Sequence, residues 1–358
     1  MIKPKALHRG DRVAIVSLSS GILGEENCKH QLELGIQRLQ SFGLEPVFMK
    51  HALMGVDYLH HHPEARAEDL KQAFYDESIQ GIICSIGGDE TYRLLPSLME
   101  DAAFLVYVQQ HPKIFTGFSD TTNNHLFLYR LGITSYYGPN FMSDLAELSP
   151  EMLPYTKQAF ESFFRNDHEH AILSSPIWYE ERTDFSARSL GQQRIAHPET
   201  RGYEVLYGSG LVQGALLGGC MESLYDGYTG QRYPEQKKIY EHYGFMPTPA
   251  EWEGKIMFLE TSEEQPTPTH FRLYLDEFQQ RGILSRIHAL VVGKPQNERY
   301  YEEYRTILME YGQLLNLPIL YNVNVGHAYP RTVIPYGLQA RLDLDKKTLH
   351  IVEPMFSK

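Results

Sequence analysis

The sequence predicts an α/β chain in two parts: a parallel sheet covered by helices, then a mixed α+β domain. Three observations carry this. Short apolar runs alternate with stretches of helical period through the first half. The pattern changes after about residue 165, where polar and glycine-rich segments separate the apolar runs. A length of 358 residues corresponds to about two domains at roughly 150 residues each.

In the first half, residues 12–18 (RVAIVSL) read as a buried strand, and residues 27–42 as an amphipathic helix with Leu32, Leu34, Ile36, Leu39 and Phe42 apolar. A second strand follows at 45–49 (EPVFM), then a helix at 63–76. A third strand at 79–86 (IQGIICSI) runs into Gly87-Gly88, with a helix over 90–99. A fourth strand at 113–118 (KIFTGF) precedes a helix over 121–131. Strands alternating with helices make βαβ units and hence a parallel sheet with both faces covered. Ligands of such sheets bind beyond the carboxyl ends of the strands, so three loops are marked for chemistry: 17–21, 87–91 and 117–122.

The second half reads differently. Residues 174–207 are polar, without a long helical period, and 208–219 are dense in glycine. Strands are expected at 255–259 (KIMFL) and 289–292 (ALVV), and helices at 267–281 and 299–315. Residues 338–344 alternate apolar and polar, and 348–352 follow after the turn Asp345-Lys346-Lys347, which predicts a terminal hairpin.

Composition excludes several classes. With 42% hydrophobic and 22% charged residues, the chain can bury a core and is not disordered. A formal net charge of −12, with basic residues scattered among acidic ones, argues against a nucleic-acid binder, which needs a clustered basic face. Cys28, Cys84 and Cys220 are far apart and form no CxxC, so neither a disulfide framework nor a cysteine zinc site is expected, and a reducing compartment fits. The N-terminal MIKPKALHRGDRVAIVSLSS is broken by charges before an apolar signal region can form. No apolar run approaches the roughly 20 residues of a membrane span. The expectation is a soluble cytoplasmic protein with no membrane partner.

The strongest local signal is KIFTGFSDTTNNHLFLYR, residues 113–130. A strand ends at Gly117-Phe118, Ser119-Asp120 makes the turn, and a helix begins at once. This is the layout of a nucleophile elbow, in which the helix N-terminus offers unpaired N–H groups to a developing oxyanion. Thr121 stands where G-x-S-x-G has its second glycine. An N-cap role for Ser119 or Asp120 is the commoner use of such residues before a helix. Gly87-Gly88 lets backbone N–H groups approach a ligand closely, or is simply a tight turn. Neither G-x-G-x-x-G nor G-K-S/T is present, so the loop is no dinucleotide or P-loop fingerprint. A serine nucleophile needs a base and an orienting carboxylate. Of 16 histidines, His327 stands out, following an apolar run beside Gly326. Glu260 closes the strand KIMFLE and opens a loop carrying Glu263 and Glu264. Either residue can also be an ordinary strand-end polar group. The run His60-His61-His62 before Pro63 reads as a solvated loop, and no metal-ligand spacing occurs.

Together, Gly117-Phe118-Ser119-Asp120-Thr121-Thr122, Phe258-Leu259-Glu260 and Gly326-His327 resemble the three catalytic blocks of the LD-carboxypeptidase family of serine peptidases, and ALHRGDRVAIVSLSSG resembles that family's start. The resemblance implies a flavodoxin-like N-terminal domain over 1–165 carrying the nucleophile, and a β-rich C-terminal domain over 166–358 carrying the other two members. It implies Ser119 as nucleophile, His327 as general base, Glu260 orienting the imidazole, and the N–H groups of Gly88 and Asp120 as the oxyanion hole. It implies a homodimer and neither a metal nor an organic cofactor.

The family has two subgroups. One releases D-alanine from murein tetrapeptides in peptidoglycan recycling. The other, the microcin C immunity type, cleaves the amide between an aminoacyl or peptidyl group and a nucleotide. The blocks Ile86-Gly87-Gly88-Asp89-Glu90-Thr91 and Leu217-Gly218-Gly219-Cys220-Met221-Glu222-Ser223-Leu224 resemble the second. Trp178 lies where that subgroup tends to place an aromatic residue that stacks on a nucleobase, although a packing anchor is an equal reading. Outside the enzyme class, the same scaffold could hold a small ligand without catalysis.

Overall fold

The computed structural model describes all residues, Met1–Lys358. The chain forms two compact units. The first comprises residues 1–166, 182–194 and 356–358, and the second residues 167–181 and 195–355.

The first unit runs β1 (Arg12–Val16), α1 (Lys29–Ser41), β2 (Glu45–Phe48), α2 (Val56–His61), α3 (Pro63–Tyr75), β3 (Ile79–Cys84), α4 (Leu95–Met99), α5 (Ala102–Gln110), β4 (Ile114–Gly117), α6 (Thr122–Arg130), β5 (Tyr136–Tyr137) and α7 (Pro154–Glu161). Its strands lie in the order β2-β1-β3-β4-β5, all parallel. That is the doubly wound order of flavodoxin-like folds, as the sequence leads one to expect. Strands β3 and β4 are mainly apolar and almost wholly buried, as strands covered on both faces must be. The four predicted strands and four predicted helices are all present, with ends shifted by a few residues. Helices α2, α5 and α7 are additional. Helix α2 corrects the reading of the histidine run: His60 and His61 form its last turn, and only His62 lies beyond it. Their imidazoles are nevertheless solvent-facing, with acceptors at Glu90, the Asp57 carbonyl and Glu64.

Residues 182–194 join this unit through charge. Arg182 Nη2 and Arg194 Nε lie 2.7 and 2.6 Å from the two oxygens of buried Glu147. Burial pushes the Glu147 carboxyl up, but the two guanidiniums outweigh it and hold the pKa at about 2. Breaking such a buried pair by removing one partner strands a charge and is strongly destabilising.

The second unit contains β6 (His170–Ile172), β7 (Ile177–Tyr179), β8 (Ala196–Pro198), β9 (Glu204–Tyr207), β10 (Leu211–Cys220), α8 (Met221–Thr229), α9 (Pro234–Tyr243), β11 (Ile256–Glu260), α10 (Pro268–Gln280), β12 (Ala289–Gly293), α11 (Tyr301–Leu315), β13 (Ile319–Val323), β14 (Ile334–Pro335), β15 (Gln339–Asp343) and β16 (Thr348–Ile351). Its main sheet has the order β6-β16-β15-β10-β11-β12-β13-β9. The central run β10-β11-β12-β13 is parallel, and antiparallel strands flank it on both sides. The terminal hairpin is β15–β16, in the register Ala340↔Ile351 to Asp343↔Thr348. Helices α8 and α9 are not marked by the sequence reading; α8 follows β10 directly at Met221. Because β10 to β13 run parallel, their carboxyl ends lie along one edge. That edge carries Cys220, Glu260, Gly293 and Val323.

Candidate active site

Two constellations form, one at the carboxyl edge of each sheet.

In the first unit, β4 ends at Gly117 and Ser119 opens a single 3₁₀ turn that leads into α6. Ser119 has φ +68°, a left-handed conformation that costs an L-residue about 1–2 kcal/mol. An N-cap has extended backbone; Ser119 does not, and it is Phe118 that occupies that place. The turn is held from several sides. The Ser119 N–H donates to the Tyr137 hydroxyl at 3.0 Å, and its carbonyl accepts from Thr122 Oγ1 at 2.7 Å. Beneath it, His125 is fully buried, with Nε2 2.9 Å from the Gly117 carbonyl and Nδ1 2.8 Å from Ser135 Oγ. Burial pushes its pKa down to about 3, so the ring is neutral; Nε2 donates to the carbonyl and Nδ1 accepts from the hydroxyl.

The three loops marked from the sequence meet here. The Asp120 carboxylate accepts from Ser19 Oγ at 2.6 Å, from the Thr91 N–H at 2.8 Å and from Asn123 Nδ2 at 2.8 Å. The Ser20 N–H donates to the Gly87 carbonyl at 3.1 Å. Burial raises the Asp120 pKa against these hydrogen bonds. Gly87 lies so close to Ser119 that a Cβ there would come within 2.7 Å of the serine Cβ. Gly88 has φ +148°, and a Cβ there would collide with Ser19 Oγ. Both glycines are therefore required by close approach of the backbone. Gly88, Ser119 and Asp120 are thus brought into one neighbourhood.

In the second unit, Glu260 ends β11 and His327 follows β13, beside Gly326. Glu260 Oε2 accepts from the His327 N–H at 3.1 Å and lies 2.7 Å from Nδ1. The carboxylate thereby fixes both the backbone and the ring. Gly326 has φ +85°, and a Cβ there would overlap the Glu260 carboxylate. Glycine is what allows the carboxylate and imidazole to meet.

The other ring nitrogen, Nε2, is 2.8 Å from Glu263 Oε2. Burial acts to lower the His327 pKa, but Glu260 and Glu263 outweigh it and push it up to about 10. Correspondingly, the hydrogen bond to His327 holds Glu263 down at about 2. The imidazole is cationic between two carboxylates. A third carboxylate supports the loop: Glu222 Oε1 accepts from the Ser262 N–H and Oγ at 2.9 and 2.7 Å, and Oε2 lies 3.4 Å from Cys220 Sγ. Burial, reinforced by Glu260, raises the Glu222 pKa to about 7. Glu222 and Glu263 were within reach of sequence reading only as members of noted segments. Nothing in the spacing marks which glutamate turns towards the imidazole.

Trp178 sits on the two-stranded ribbon β7–β8, directly opposite His197. The two rings stack at 4.3 Å. Lys294 Nζ lies 4.9 Å from the indole centroid and 3.0 Å from Glu199. Trp178 is half-buried. No cluster of three or more His, Cys, Asp or Glu side chains has the arrangement of a metal site.

A strained serine at a strand-to-helix turn and a histidine–carboxylate pair at a parallel-sheet edge are the parts of a serine hydrolase. Similarity to known proteins agrees with that class. Residues 13–138 match the LD-carboxypeptidase N-terminal domain and residues 213–342 its C-terminal domain, together more than half the chain. The chain belongs to the LD-carboxypeptidase family and is an enzyme of the serine peptidase and amidase class.

Its relatives fall on both sides of the family. An MccF-like protein from Streptococcus pneumoniae, solved in complex with AMP, is 45% identical, covers 97% of this chain and 99% of its own, and superposes with a TM-score of 0.90. The microcin C7 self-immunity protein MccF of Escherichia coli is 24% identical over 97% of this chain and 95% of its own length. A probable murein peptide carboxypeptidase of Bacillus subtilis is 23% identical over 97% and 93%. No helix is long and apolar enough to cross a membrane.

Proposed function

We propose that the protein hydrolyses the amide that joins an aminoacyl or peptidyl carbonyl to a nucleotide, through Ser119, His327 and Glu260. In this reading the Ser119 hydroxyl attacks the carbonyl carbon and His327 Nε2 takes its proton. The N–H groups of Asp120 and Gly88 hold the oxyanion, each worth on the order of 3 kcal/mol in the transition state. Collapse breaks the C–N bond, and His327 returns the proton to the leaving nitrogen. Water, deprotonated by the same imidazole, then releases the acyl group from Ser119.

The observation that carries the hydrolase reading is the left-handed backbone of Ser119, strain of the kind kept at a functional turn. The nucleotide leaving group is supported by the AMP complex of the 45% identical Streptococcus pneumoniae protein. Trp178 is the proposed base-stacking residue. A base must share the indole with His197 and Lys294 or approach its exposed part. We also propose the homodimer that the family resemblance implies, and sedimentation at micromolar concentration tests it.

The test is a mass-spectrometric hydrolysis assay with an aminoacyl sulfamoyl adenosine and a murein L,D-tetrapeptide side by side, Ser119→Ala serving as blank. The expected result is cleavage of the nucleotide conjugate by the unmodified protein alone. Trp178→Ala is expected to raise KM by about tenfold, the loss of one base stack, with kcat little changed. Release of D-alanine alone would move the protein to the murein reading, which similarity to the Bacillus subtilis enzyme keeps in view.

A further inference from the structure

We propose that Glu263 is the residue that reads the free α-ammonium group of an aminoacyl substrate, and that without substrate the same carboxylate latches the Nε2 nitrogen of His327. The proposal rests on the hydrolytic reading above and narrows it, from aminoacyl or peptidyl conjugates to those with a free amine.

The argument begins with which atoms are in use. His327 is gripped on Nδ1 by Glu260 at 2.7 Å and on Nε2 by Glu263 at 2.8 Å. The two carboxylates differ in kind. Glu260 is fully buried at the end of a central strand, and its neighbours Gly293 and Gly326 leave it no room to shift. Glu263 stands on the loop after β11, and its side chain is 65% exposed. Glu260 is therefore a fixed partner and Glu263 a movable one. Its base is nonetheless placed, since Glu222 ties down Ser262 with two hydrogen bonds.

While Glu263 holds Nε2, that nitrogen keeps its proton and cannot accept another from a serine. The contact must open for the imidazole to act as a base. A carboxylate paired with a cation is released at least cost when it finds another cation in reach. An aminoacyl substrate carries one. Its α-nitrogen is one carbon away from the carbonyl that the proposed mechanism places beside Nε2. Glu263 would move from the imidazolium to that ammonium, and the Nε2 proton would then pass to water, leaving the neutral ring as base. A peptidyl or N-acylated substrate carries no such charge on the nitrogen next to the scissile acyl group.

The test uses binding, so that it does not depend on turnover. Affinities of the full-length Ser119→Ala protein are measured by calorimetry for alanyl sulfamoyl adenosine and for its lactyl counterpart, in which a hydroxyl replaces the ammonium. The expected result is a preference for the amine of about tenfold or more. In Ser119→Ala/Glu263→Gln that preference should fall to near unity, mainly through weaker binding of the amine. Glu264→Gln, which alters a neighbouring carboxylate paired to Arg232 at 3.0 Å, should keep it. Equal binding of the two conjugates by Ser119→Ala, or a preference that survives Glu263→Gln, would overturn the proposal. Binding of neither overturns both this and the nucleotide reading. A Glu263-dependent preference, in a protein that cleaves neither conjugate, leaves the ammonium recognition standing and removes the proposed amide cleavage.

Discussion

The elbow in the first unit and the imidazole in the second are built on opposite principles. The elbow is local. Its serine, its supporting hydroxyl at Thr122 and its buried histidine all lie within residues 117–125, and the geometry is set by backbone strain and close glycine contacts. The imidazole is assembled from afar. Glu260 and His327 are 67 residues apart, Glu222 and Ser262 are 40 apart, and what holds them is charge. A local motif depends on its backbone conformation, whereas a distant cluster depends on its electrostatic balance. Substitutions should therefore separate the two.

The largest effect is expected at Ser119. Ser119→Gly removes the proposed nucleophile and should lower kcat by roughly 10⁶-fold, the scale of losing a catalytic serine. It also relieves the left-handed backbone, so the melting temperature should rise by the equivalent of about 1 kcal/mol. A fall in melting temperature would show that the turn is not strained. At the imidazole, Glu260→Gln keeps the shape but inverts one hydrogen-bonding role and removes the charge. A loss on the order of 10⁴-fold in kcat is expected, and circular dichroism should be unchanged.

Gly326→Ala tests the one place where the charge-built site depends on backbone freedom. A Cβ at φ +85° that overlaps Glu260 should destabilise by about 2 kcal/mol or more, read by urea unfolding. An alanine variant as stable as the parent would mean that Glu260 can move aside.

The smallest effect is a pH dependence at Glu222. Its folded pKa is about 7, above the ordinary carboxylate value near 4.3. Between those values the folded state binds more protons than the unfolded, so stability falls as pH rises. Glu222→Gln should flatten the decline between about pH 4.5 and 7. Identical slopes in the two proteins would exclude Glu222 as its source.

Much of this architecture is legible in the sequence. The apolar runs 79–86 and 113–118 read as strands of a covered sheet, and KIFTGFSDTT reads as a strand that turns into a helix. Glu260 is legible as the polar residue closing an apolar strand, and His327 as a histidine beside a glycine after one. The additional helices are less so: α5 (AAFLVYVQQ) is apolar nearly all round and shows little periodicity, and α8 begins without a break after β10. The histidine run does not reveal its helix because exposure and helix are compatible: His60 and His61 face solvent from the end of α2.

The pattern of strands and helices, the glycines that close contacts require, and the residue types at the strand ends are thus written in the chain itself. These follow from periodicity and chain stereochemistry, which act over a few residues. Folding in three dimensions is what makes Asp120 tie three loops together and brings Glu263 rather than Glu264 to His327. It alone decided that a left-handed conformation would fall on Ser119. The reason is physical: a carboxylate's partner and a buried group's charge state depend on what folding brings within a few ångströms, and chain spacing carries no record of that.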